Sequence, residues 1–326
     1  MLKKNKGYSC KSINRILRKT AVIILAGIIG LSSSACSCKK KESKQPAMKI
    51  GSSDLTEGIV RYYAYNAQAS YENYYMASGS HIHWSEGKNK VTLEDQVKEQ
   101  TLEEMVKKYK LINHAKDFEV DKSDVREKDL SDMIDNYKKN TADALKDKVD
   151  ASDDDLKKIF TTYILYDDIC EYIKEQYNIV VEKDLYRQVS INLIEVTGDD
   201  AENTAVKICS EVNKGGKIVD VASKYKQEVI EGTIGAGDRD RDKIELACLT
   251  MKTGECVSVN TDLKYYVIYC VNDNDEKATE IMVQDKEKEL LNQQIDLLVK
   301  NYKDEVKLDE EMWKKINYND PIFEDK

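Results

Sequence analysis

Few residues in this sequence have the types and spacing that catalytic or metal chemistry requires. His81 and His83 are alternate residues, which share one face of a strand and could hold a metal ion together. The sequence offers no third ligand near them, so we expect a surface loop and no metal. His114 ends an amphipathic helix, where its charge would complement the helix dipole. The sequence shows no Ser-His-Asp set, no phosphate-binding glycine loop and no pair of catalytic carboxylates, and it implies no cofactor.

Cysteines are the other reactive side chains, and the chain has eight of them. Six fit neither the paired CxxC spacing of a zinc site nor the dense pattern of a small disulfide-stapled domain: Cys38, Cys170, Cys209, Cys248, Cys256 and Cys270. Most of these lie within apolar helix or strand patterns, so the sequence predicts buried thiols that behave as small hydrophobic side chains. Free thiols in an exported protein would suit a reducing or anaerobic habitat.

Residues 1–35 have the pattern of an export signal. Lysines and arginines without any acidic residue precede an apolar run, Ala21–Leu31, which ends in Ser32–Ala35 before Cys36. The run is shorter than the roughly 20 residues that a membrane-spanning helix needs, so we expect cleavage. Small residues before a cysteine resemble a bacterial lipobox, which implies that Cys36 carries a lipid anchor. An ordinary secretory signal is the alternative, because Ser33 stands where a larger aliphatic residue is usual and Cys38 lies close by.

The charge balance is acidic. The whole chain has 60 Asp and Glu against 51 Lys and Arg, a net charge of -9, and the export signal contributes only basic charges. Removing the signal leaves a still more acidic protein. Nucleic acid is therefore an improbable partner, because phosphate contacts need a basic face. Residues 36–50 are expected to be the lipidated cysteine and a short polar tether.

The sequence from 51 to 184 predicts an all-helical region, because its apolar residues recur every three or four positions. Helices are predicted at Leu55–Met76, after a cap at Thr92, at Asp121–Lys139 and after a capping box at Ser152–Asp155, with a loop at Ala77–Lys90. The first of these helices is rich in tyrosine.

Between 185 and 273 the pattern changes to strands separated by short helices. Strands are predicted at Val189–Val196, Cys256–Val259 and Tyr265–Val271, helices at Ala201–Asn213, Ile218–Tyr225 and Ile244–Met251, and turns at Gly232–Gly235 and Thr253–Glu255. This order predicts a compact α+β unit with an antiparallel sheet.

A final long helix follows residue 274, with Ile281, Leu291 and Ile295 along its apolar stripe. Such a helix cannot bury its stripe alone and needs the N-terminal helices as a partner. We therefore predict an α+β protein in which a discontinuous all-helical chaperone domain, 51–184 completed by 274–326, carries an inserted antiparallel-sheet domain, 185–273.

The succession of motifs resembles a known family. Thr92–Lys128 resembles the N-terminal chaperone region of SurA/PrsA-type foldases, and the α+β unit resembles a parvulin (PpiC-type) peptidyl-prolyl isomerase domain. Ile191–Ile194 stands at the family's His-Ile-Leu-Val strand, Gly232–Gly235 at its Gly-Gly-Asp-Leu-Gly turn, Thr253–Glu255 at its Pro-Gly-Glu turn and Leu263–Ile268 at its Tyr-Gly-Tyr-His-Ile-Ile strand. The resemblance implies an extracytoplasmic foldase, held at the membrane by its lipid, that binds unfolded exported polypeptides.

The family's isomerase site is largely replaced in this chain. Its first histidine position holds Ile191, or Asn192 if the register shifts by one, and its second holds Tyr266. The resemblance thus implies Asn192 and Tyr266 as catalytic candidates. The substrate-binding candidates are Ile191, Ile244, Leu249 and Tyr265 in the parvulin-like domain, and Tyr62 and Tyr63 in the helical domain.

Three functions stay open on the sequence. The first is a foldase-like chaperone with a degenerate isomerase site, the second an active parvulin-class isomerase, and the third a non-catalytic binding or structural lipoprotein. The first would use tyrosines as broad contact surfaces with polar tips, at positions 62, 63, 65, 71, 74 and 75. The same tyrosines could instead pack inside the helical domain.

Overall fold

The computed structural model describes residues 46–88, 91–121, 125–239, 242–261 and 264–323. The predicted export signal, Cys36 and Cys38 lie outside these residues. The chain divides into two compact units, Met1–Glu175 with Gln294–Lys326, and Gln176–Gln293. The predicted fold class is confirmed: the chain is α+β, with a helical unit that the C-terminal part completes and an inserted antiparallel sheet.

In chain order, the helices and strands are β1 (Met48–Ile50), β2 (Ser53–Leu55), α1 (Glu57–Ala77), β3 (Gly87–Lys88), β4 (Val91–Thr92), α2 (Leu93–Asn113), α3 (Glu127–Asn140), α4 (Asp143–Val149), α5 (Asp153–Gln176), β5 (Gln188–Val196), α6 (Ala201–Asn213), α7 (Ile218–Lys224), β6 (Ile230–Gly235), α8 (Lys243–Thr250), β7 (Cys256–Asn260), β8 (Tyr265–Asn272), α9 (Glu276–Val299), β9 (Val306–Leu308) and α10 (Glu310–Lys315).

Two helix starts in the first unit are fixed by capping boxes, where the sequence predicts a cap at Thr92 and a box at Ser152–Asp155. At α2, Thr92 accepts the backbone N–H of Asp95 while the Asp95 carboxylate accepts the N–H of Thr92. At α5, Asp155 accepts the N–H of Ser152 at 2.9 Å and its own N–H donates to the Ser152 hydroxyl. The Asp155 carboxylate also accepts the hydroxyl of Thr56, which caps α1. One buried carboxylate therefore joins the starts of α1 and α5.

Residues 306–323, which we call the C-terminal segment, pack into the core of the first unit. Strand β9 pairs antiparallel with β1, and the fully buried Tyr318 donates its hydroxyl to the carbonyl of Ala64 at 2.9 Å. The Gln68 amide donates to the Tyr318 carbonyl at 3.0 Å, and the Glu72 carboxylate accepts the N–H of Ile322 at 2.9 Å. The Gln68 amide nitrogen and the Glu72 carboxylate of α1 thus have backbone partners more than 200 positions later in the chain.

Several elements differ from the sequence expectations. The helix predicted at Asp121–Lys139 begins only at Glu127, after Arg126, whose side chain supplies no capping bond. The loop predicted at Ala77–Lys90 contains β3. The turn predicted at Gly232–Gly235 lies inside the edge strand β6, which pairs antiparallel with residues 188–193 of β5. In α9, Leu291 and Ile295 are buried, whereas Ile281 is 53% exposed.

The second unit is a four-stranded antiparallel sheet in the order β6-β5-β8-β7. Helices α6 and α7 cover one side, which we call the α6 face, where Ile194 and Val267 pack with Ile208. Helix α8 covers the other side, the α8 face, where Ile191 and Ile268 pack with Ile244. Alternation of side chains along β5 and β8 keeps the two apolar clusters apart. Among the described helices, none is long and apolar enough to cross a membrane.

The Asp155 junction gives a stability prediction. Replacing Asp155 by Ala removes the capping box of α5 and leaves the Thr56 hydroxyl without its acceptor. We expect the free energy of unfolding to fall by about 1–3 kcal/mol in urea titrations. The matched control is Asp154→Ala, an exposed neighbour in the same first turn, which should cost less than about 1 kcal/mol. Equal losses in the two variants would contradict the role of the junction.

Candidate functional site

Four of the predicted site residues come together on the α8 face. Ile191 and Ile244 are buried in its apolar cluster, and Leu249 and Tyr266 pack at the border of that cluster. The pairing of β5 with β8 sets this arrangement, because it places Leu193 opposite Ile268 and so aligns the odd residues of β5 with the even residues of β8. The α8 face therefore has a buried apolar cluster with one tyrosine at its rim.

That rim carries a charged pair that the sequence analysis did not identify. Tyr266 lies directly opposite Glu195 in the β5–β8 register and donates its hydroxyl to the Glu195 carboxylate at 3.3 Å. The Lys264 ammonium lies 2.5 Å from the other carboxylate oxygen. The hydrogen bond from Lys264, more than that from Tyr266, lowers the pKa of Glu195, so this carboxylate is ionised at neutral pH. The Tyr266 hydroxyl therefore donates its hydrogen bond to a negatively charged carboxylate.

Asn192 and Tyr265 lie on the other side of the sheet. Asn192 shares the α6 face with Ile194, two positions on, and is paired in register with Tyr269. Tyr265 packs against the α6-face cluster and donates its hydroxyl to Glu202 at 3.2 Å. Partial burial, with this carboxylate, raises the pKa of Tyr265. The two catalytic candidates, Asn192 and Tyr266, thus point to opposite faces, and no single groove contains both.

A buried carboxylate organises the turn that leads into α8. Glu245 is 1% exposed and accepts the backbone N–H of Gly237 at 2.9 Å and of Arg239 at 3.0 Å. Asp242 caps the helix by accepting the N–H of Glu245 and also binds the Arg239 guanidinium at 2.8 Å. These bonds hold the turn in one conformation beside the α8 face. Sequence reasoning missed Glu245, because its acceptor role depends on how the turn folds.

The α8 face has few groups that could act on an X-Pro bond. Its residues Ile191, Ile244 and Ile268 are buried in the core of the unit. Lowering the barrier of such a bond, ~18–20 kcal/mol, requires donors aimed at the twisted amide in an apolar environment. Tyr266 is one such donor, and it is already bonded to Glu195. The ionised carboxylate of Glu195 would also repel the substrate carbonyl oxygen.

Two cavities border the second unit, and neither includes a predicted site residue. One of about 480 Å³ is lined by Val219, Ser223, Lys226, Gln227, Val229 and Glu231. The other, of about 450 Å³, is lined by residues of the α6–α7 connection together with Gly254 and Tyr269.

The two tyrosine candidates of the first unit lie in an aromatic cluster. Tyr62 is 4% exposed, and its ring contacts those of Tyr63, Tyr137, Phe160 and Tyr163 at centroid distances of 5.5–6.3 Å. Burial raises the pKa of both Tyr62 and Tyr63 well above the usual range. Their main contacts are therefore with the core of the unit, which leaves Tyr62 little surface for a client.

One lysine is packed into this aromatic cluster. The Lys108 ammonium lies 4.1 Å from the ring centroid of Tyr163, 5.0 Å from that of Tyr166 and 5.2 Å from that of Tyr63. Such cation–π contacts stabilise a charge that has left water. Burial nevertheless prevails and lowers the pKa of Lys108 to about 8, against an opposing effect of Glu104.

The histidines take part in no metal site among the described residues, where no group of three or more His, Cys, Asp or Glu side chains could hold a metal ion. His81 and His83 lie exposed in the loop after α1. His114 ends α2, where its ring stacks on Tyr302 at 3.8 Å and its Nε2 lies 3.1 Å from the Asp304 carboxylate. His114 thus links the end of α2 to residues 302–304, which follow α9.

Comparisons with known proteins give a resemblance to foldases at low similarity. No family model matches the chain, and no curated protein matches it. Among solved structures, it resembles the peptidylprolyl isomerase PrsA of Bacillus cereus, with 18% identity and a TM-score of 0.30 over 72% of this chain and 93% of that chain.

PrsA of Bacillus subtilis gives 18% identity and a TM-score of 0.23, over 67% of this chain and 83% of the other. SurA-like chaperones of Campylobacter jejuni give 12% identity and a TM-score of 0.27, over 81% and 98%. The fold class rests on the helices and strands described above and not on these scores.

The position of Lys108 predicts a pH dependence. The unfolded chain keeps this proton up to its ordinary pKa of 10.5, whereas the folded chain releases it near pH 8. Between these values the unfolded state binds more protons, so folding gains stability as the pH rises. Relative to Lys108→Met, the free energy of unfolding of the native chain should rise from pH 8 to pH 10, by at most ~1.4 kcal/mol per pH unit.

The control for this titration is the exposed Lys116, also replaced by Met. Urea titrations of the Lys116→Met variant should follow the native pH profile. A constant difference between the native chain and Lys108→Met across pH 8–10 would show that Lys108 titrates normally.

Proposed function

We propose that this chain is a membrane-tethered chaperone of unfolded exported polypeptides, with a parvulin-like second domain that has lost most of its isomerase site. The observation that carries the proposal is the architecture: a helical unit built from both parts of the chain with an antiparallel-sheet unit inserted between them. The sequence pattern resembling SurA/PrsA-type foldases predicts this arrangement. We assign the helical domain to 51–184 with 274–326, and the parvulin-like domain to 185–273.

Client contacts are assigned to exposed aromatic and apolar side chains at the end of α1. Tyr74 is 72% exposed and stands edge-on to Tyr75 at 5.8 Å, and Met76 is 37% exposed. Tyrosine supplies a large contact area at a small cost in side-chain entropy, and methionine adapts to irregular partners. These positions, and not the buried Tyr62, are where the helical domain would meet a client.

The tether and location are proposed from the sequence. Cleavage before Cys36 and its acylation would place the folded chain on the outer side of the cytoplasmic membrane. Chains that emerge from export would then pass close to the helical domain. Two or more acyl chains on one cysteine suffice for stable anchoring, at ~0.8 kcal/mol per buried methylene.

The second candidate function is prolyl isomerisation, and the placement of Tyr266 favours it. Its side chain packs against the apolar cluster that contains Ile244. We rank this function below the chaperone for two reasons. The Tyr266 hydroxyl already donates to the Glu195 carboxylate, and Asn192 lies on the opposite face of the sheet.

The chaperone proposal predicts suppression of aggregation. The full chain, kept soluble in mild detergent, should reduce light scattering by a chemically unfolded client enzyme at stoichiometric amounts. Tyr74→Ser should lose about half of this effect or more, because it removes the most exposed tyrosine of α1. No suppression by the native chain would refute the chaperone function.

The matched variant is Tyr74→Phe, which removes the hydroxyl and keeps the ring. It should suppress aggregation as the native chain does, since contact area is the property required. Circular dichroism and unfolding temperature should be the same in all three proteins, because position 74 is exposed. A loss in Tyr74→Phe equal to that in Tyr74→Ser would point to a specific hydrogen bond instead.

The isomerase site can be tested separately with a proline tetrapeptide in a protease-coupled assay. We expect the native rate to equal the uncatalysed background. If acceleration is found, it should disappear in Tyr266→Phe and persist in Asn192→Ala, because the two residues lie on opposite faces of the sheet. Acceleration that depends on Asn192 but not on Tyr266 would place the active face on the side of α6.

A further inference from the structure

Two cysteines meet on the α6 face of the second unit. Cys209 belongs to α6, and Cys256 is the first residue of the edge strand β7, 47 positions later. The Cys209 sulfur lies 2.8 Å from the carbonyl oxygen of Cys256. Both side chains are less than one-tenth exposed and belong to the same apolar cluster.

Asn213 holds this contact in place from the next turn of α6. Its amide nitrogen donates to the Cys256 carbonyl at 2.8 Å, and its amide oxygen accepts the Cys256 N–H at 3.1 Å. The same nitrogen lies 3.6 Å from the Cys209 sulfur. One side chain therefore satisfies both backbone groups of Cys256 and touches the sulfur of Cys209. This bidentate contact fixes the distance between the helix and the strand.

The two thiols differ in acidity in the way that thiol exchange requires. Hydrogen bonding from the Cys256 thiol, helped by the Asn213 amide, lowers the pKa of Cys209, whereas the same contact and burial raise the pKa of Cys256. The thiolate is the nucleophile in exchange with disulfides. Cys209 thus has the properties of the attacking residue, and Cys256 those of the residue that resolves a mixed disulfide.

A cavity of about 450 Å³ lies beside the pair. Asn213 lines it, together with Gly215, Gly216 and Lys217 of the α6–α7 connection, and Gly254 lies two positions before Cys256. The volume falls in the range of small-ligand pockets. Lys217 supplies a cation that could bind a carboxylate of an incoming molecule. Neither cysteine lines the cavity, but Asn213, which contacts both, does, so a small disulfide bound there would lie next to the pair.

We propose that Cys209 and Cys256 form a redox-active pair that a low-molecular-weight disulfide oxidises to an intramolecular disulfide. The Cys209 thiolate attacks one sulfur of the small disulfide, whose S–S bond breaks and releases one thiol after protonation. Cys256 then loses its proton and attacks the Cys209 sulfur, which releases the second thiol. The protein gives up two electrons and two protons, and the small disulfide takes up both.

A second pair of cysteines provides an internal comparison. Cys248 and Cys270 are fully buried in the α8-face cluster, and burial raises the pKa of both. Among the described residues, none that lines either of the two cavities is hydrogen-bonded to the sulfur of either of these cysteines, whereas Asn213 lines one cavity and contacts both Cys209 and Cys256. These thiols have the environment of inert core side chains, so they should stay reduced under conditions in which Cys209 and Cys256 react.

Peptide mapping of the full chain tests the proposal. The reduced protein is incubated with oxidised glutathione, its remaining thiols are alkylated, and it is digested with trypsin without reduction. We expect the peptide 208–214 to be found linked to 253–264, while the peptides with Cys248 and Cys270 are alkylated. Alkylated thiols at both Cys209 and Cys256, or a link from either to another cysteine, would overturn the proposal.

The unfolding temperature gives a second measurement. The link closes a long loop between α6 and β7, so the oxidised chain should melt at least about 5 °C above the reduced chain. Cys209→Ser and Cys256→Ser should show no such rise, whereas Cys248→Ser should keep it. If a variant does not fold, the peptide map of the native chain alone decides. A rise in unfolding temperature that persists in Cys209→Ser and Cys256→Ser would overturn the assignment to this pair.

Discussion

The alternation of side chains along the central strand β5 determines most of the chemistry in the second unit. Neighbouring residues on a strand point to opposite faces, so a site can use positions 191, 193 and 195 or positions 192, 194 and 196, but not both sets. The odd set shares the α8 face with Tyr266, and the even set shares the α6 face with the cysteine pair. This single constraint separates the apolar cluster around Ile244 from the cluster that contains Cys209 and Cys256.

The helical unit depends on a different kind of constraint, which is the satisfaction of buried polar groups. Gln68 and Glu72 in α1 have their hydrogen-bond partners in the C-terminal segment. Unsatisfied, each would cost a desolvation penalty of about 1–3 kcal/mol. Apolar and aromatic residues of the C-terminal segment also pack in the same core as α1. Hydrogen bonds and apolar packing therefore both hold this segment against α1.

The sequence predicted the features that depend on neighbours a few positions apart. The capping boxes at Thr92 and Ser152 and the helices that follow them are local, and their patterns are visible in a single turn. The strands β1, β2 and β9 were missed, because a strand of three residues is too short to show alternation of polar and apolar residues. In addition, β1 and β9, which pair with each other, lie more than 250 positions apart. The turn expected at Gly232–Gly235 is a strand because it pairs with β5, about 45 positions earlier in the chain.

The candidate site was predicted in part, for the same physical reason. Family resemblance pointed to Ile191, Ile244, Leu249 and Tyr266, which share the α8 face. It could not choose between Ile191 and Asn192, since a shift of one position reverses the face of a strand residue. Glu195 was missed because it contacts Tyr266 only through the pairing of β5 with β8. The sequence of one strand does not show which residue of another strand lies opposite.

Insertion of the second unit into the first fixes the order in which the two can be completed. Translation delivers the N-terminal helices first, yet the C-terminal partners of Gln68 and Glu72 and the strand β9 that pairs with β1 come after residue 305. The inserted unit has all of its strands once residue 272 is available. Domains generally fold as units as their chain appears. Helix α1 can pack against α3, α4 and α5 before then, but the side of α1 that the C-terminal segment covers stays exposed to water while the inserted sheet forms.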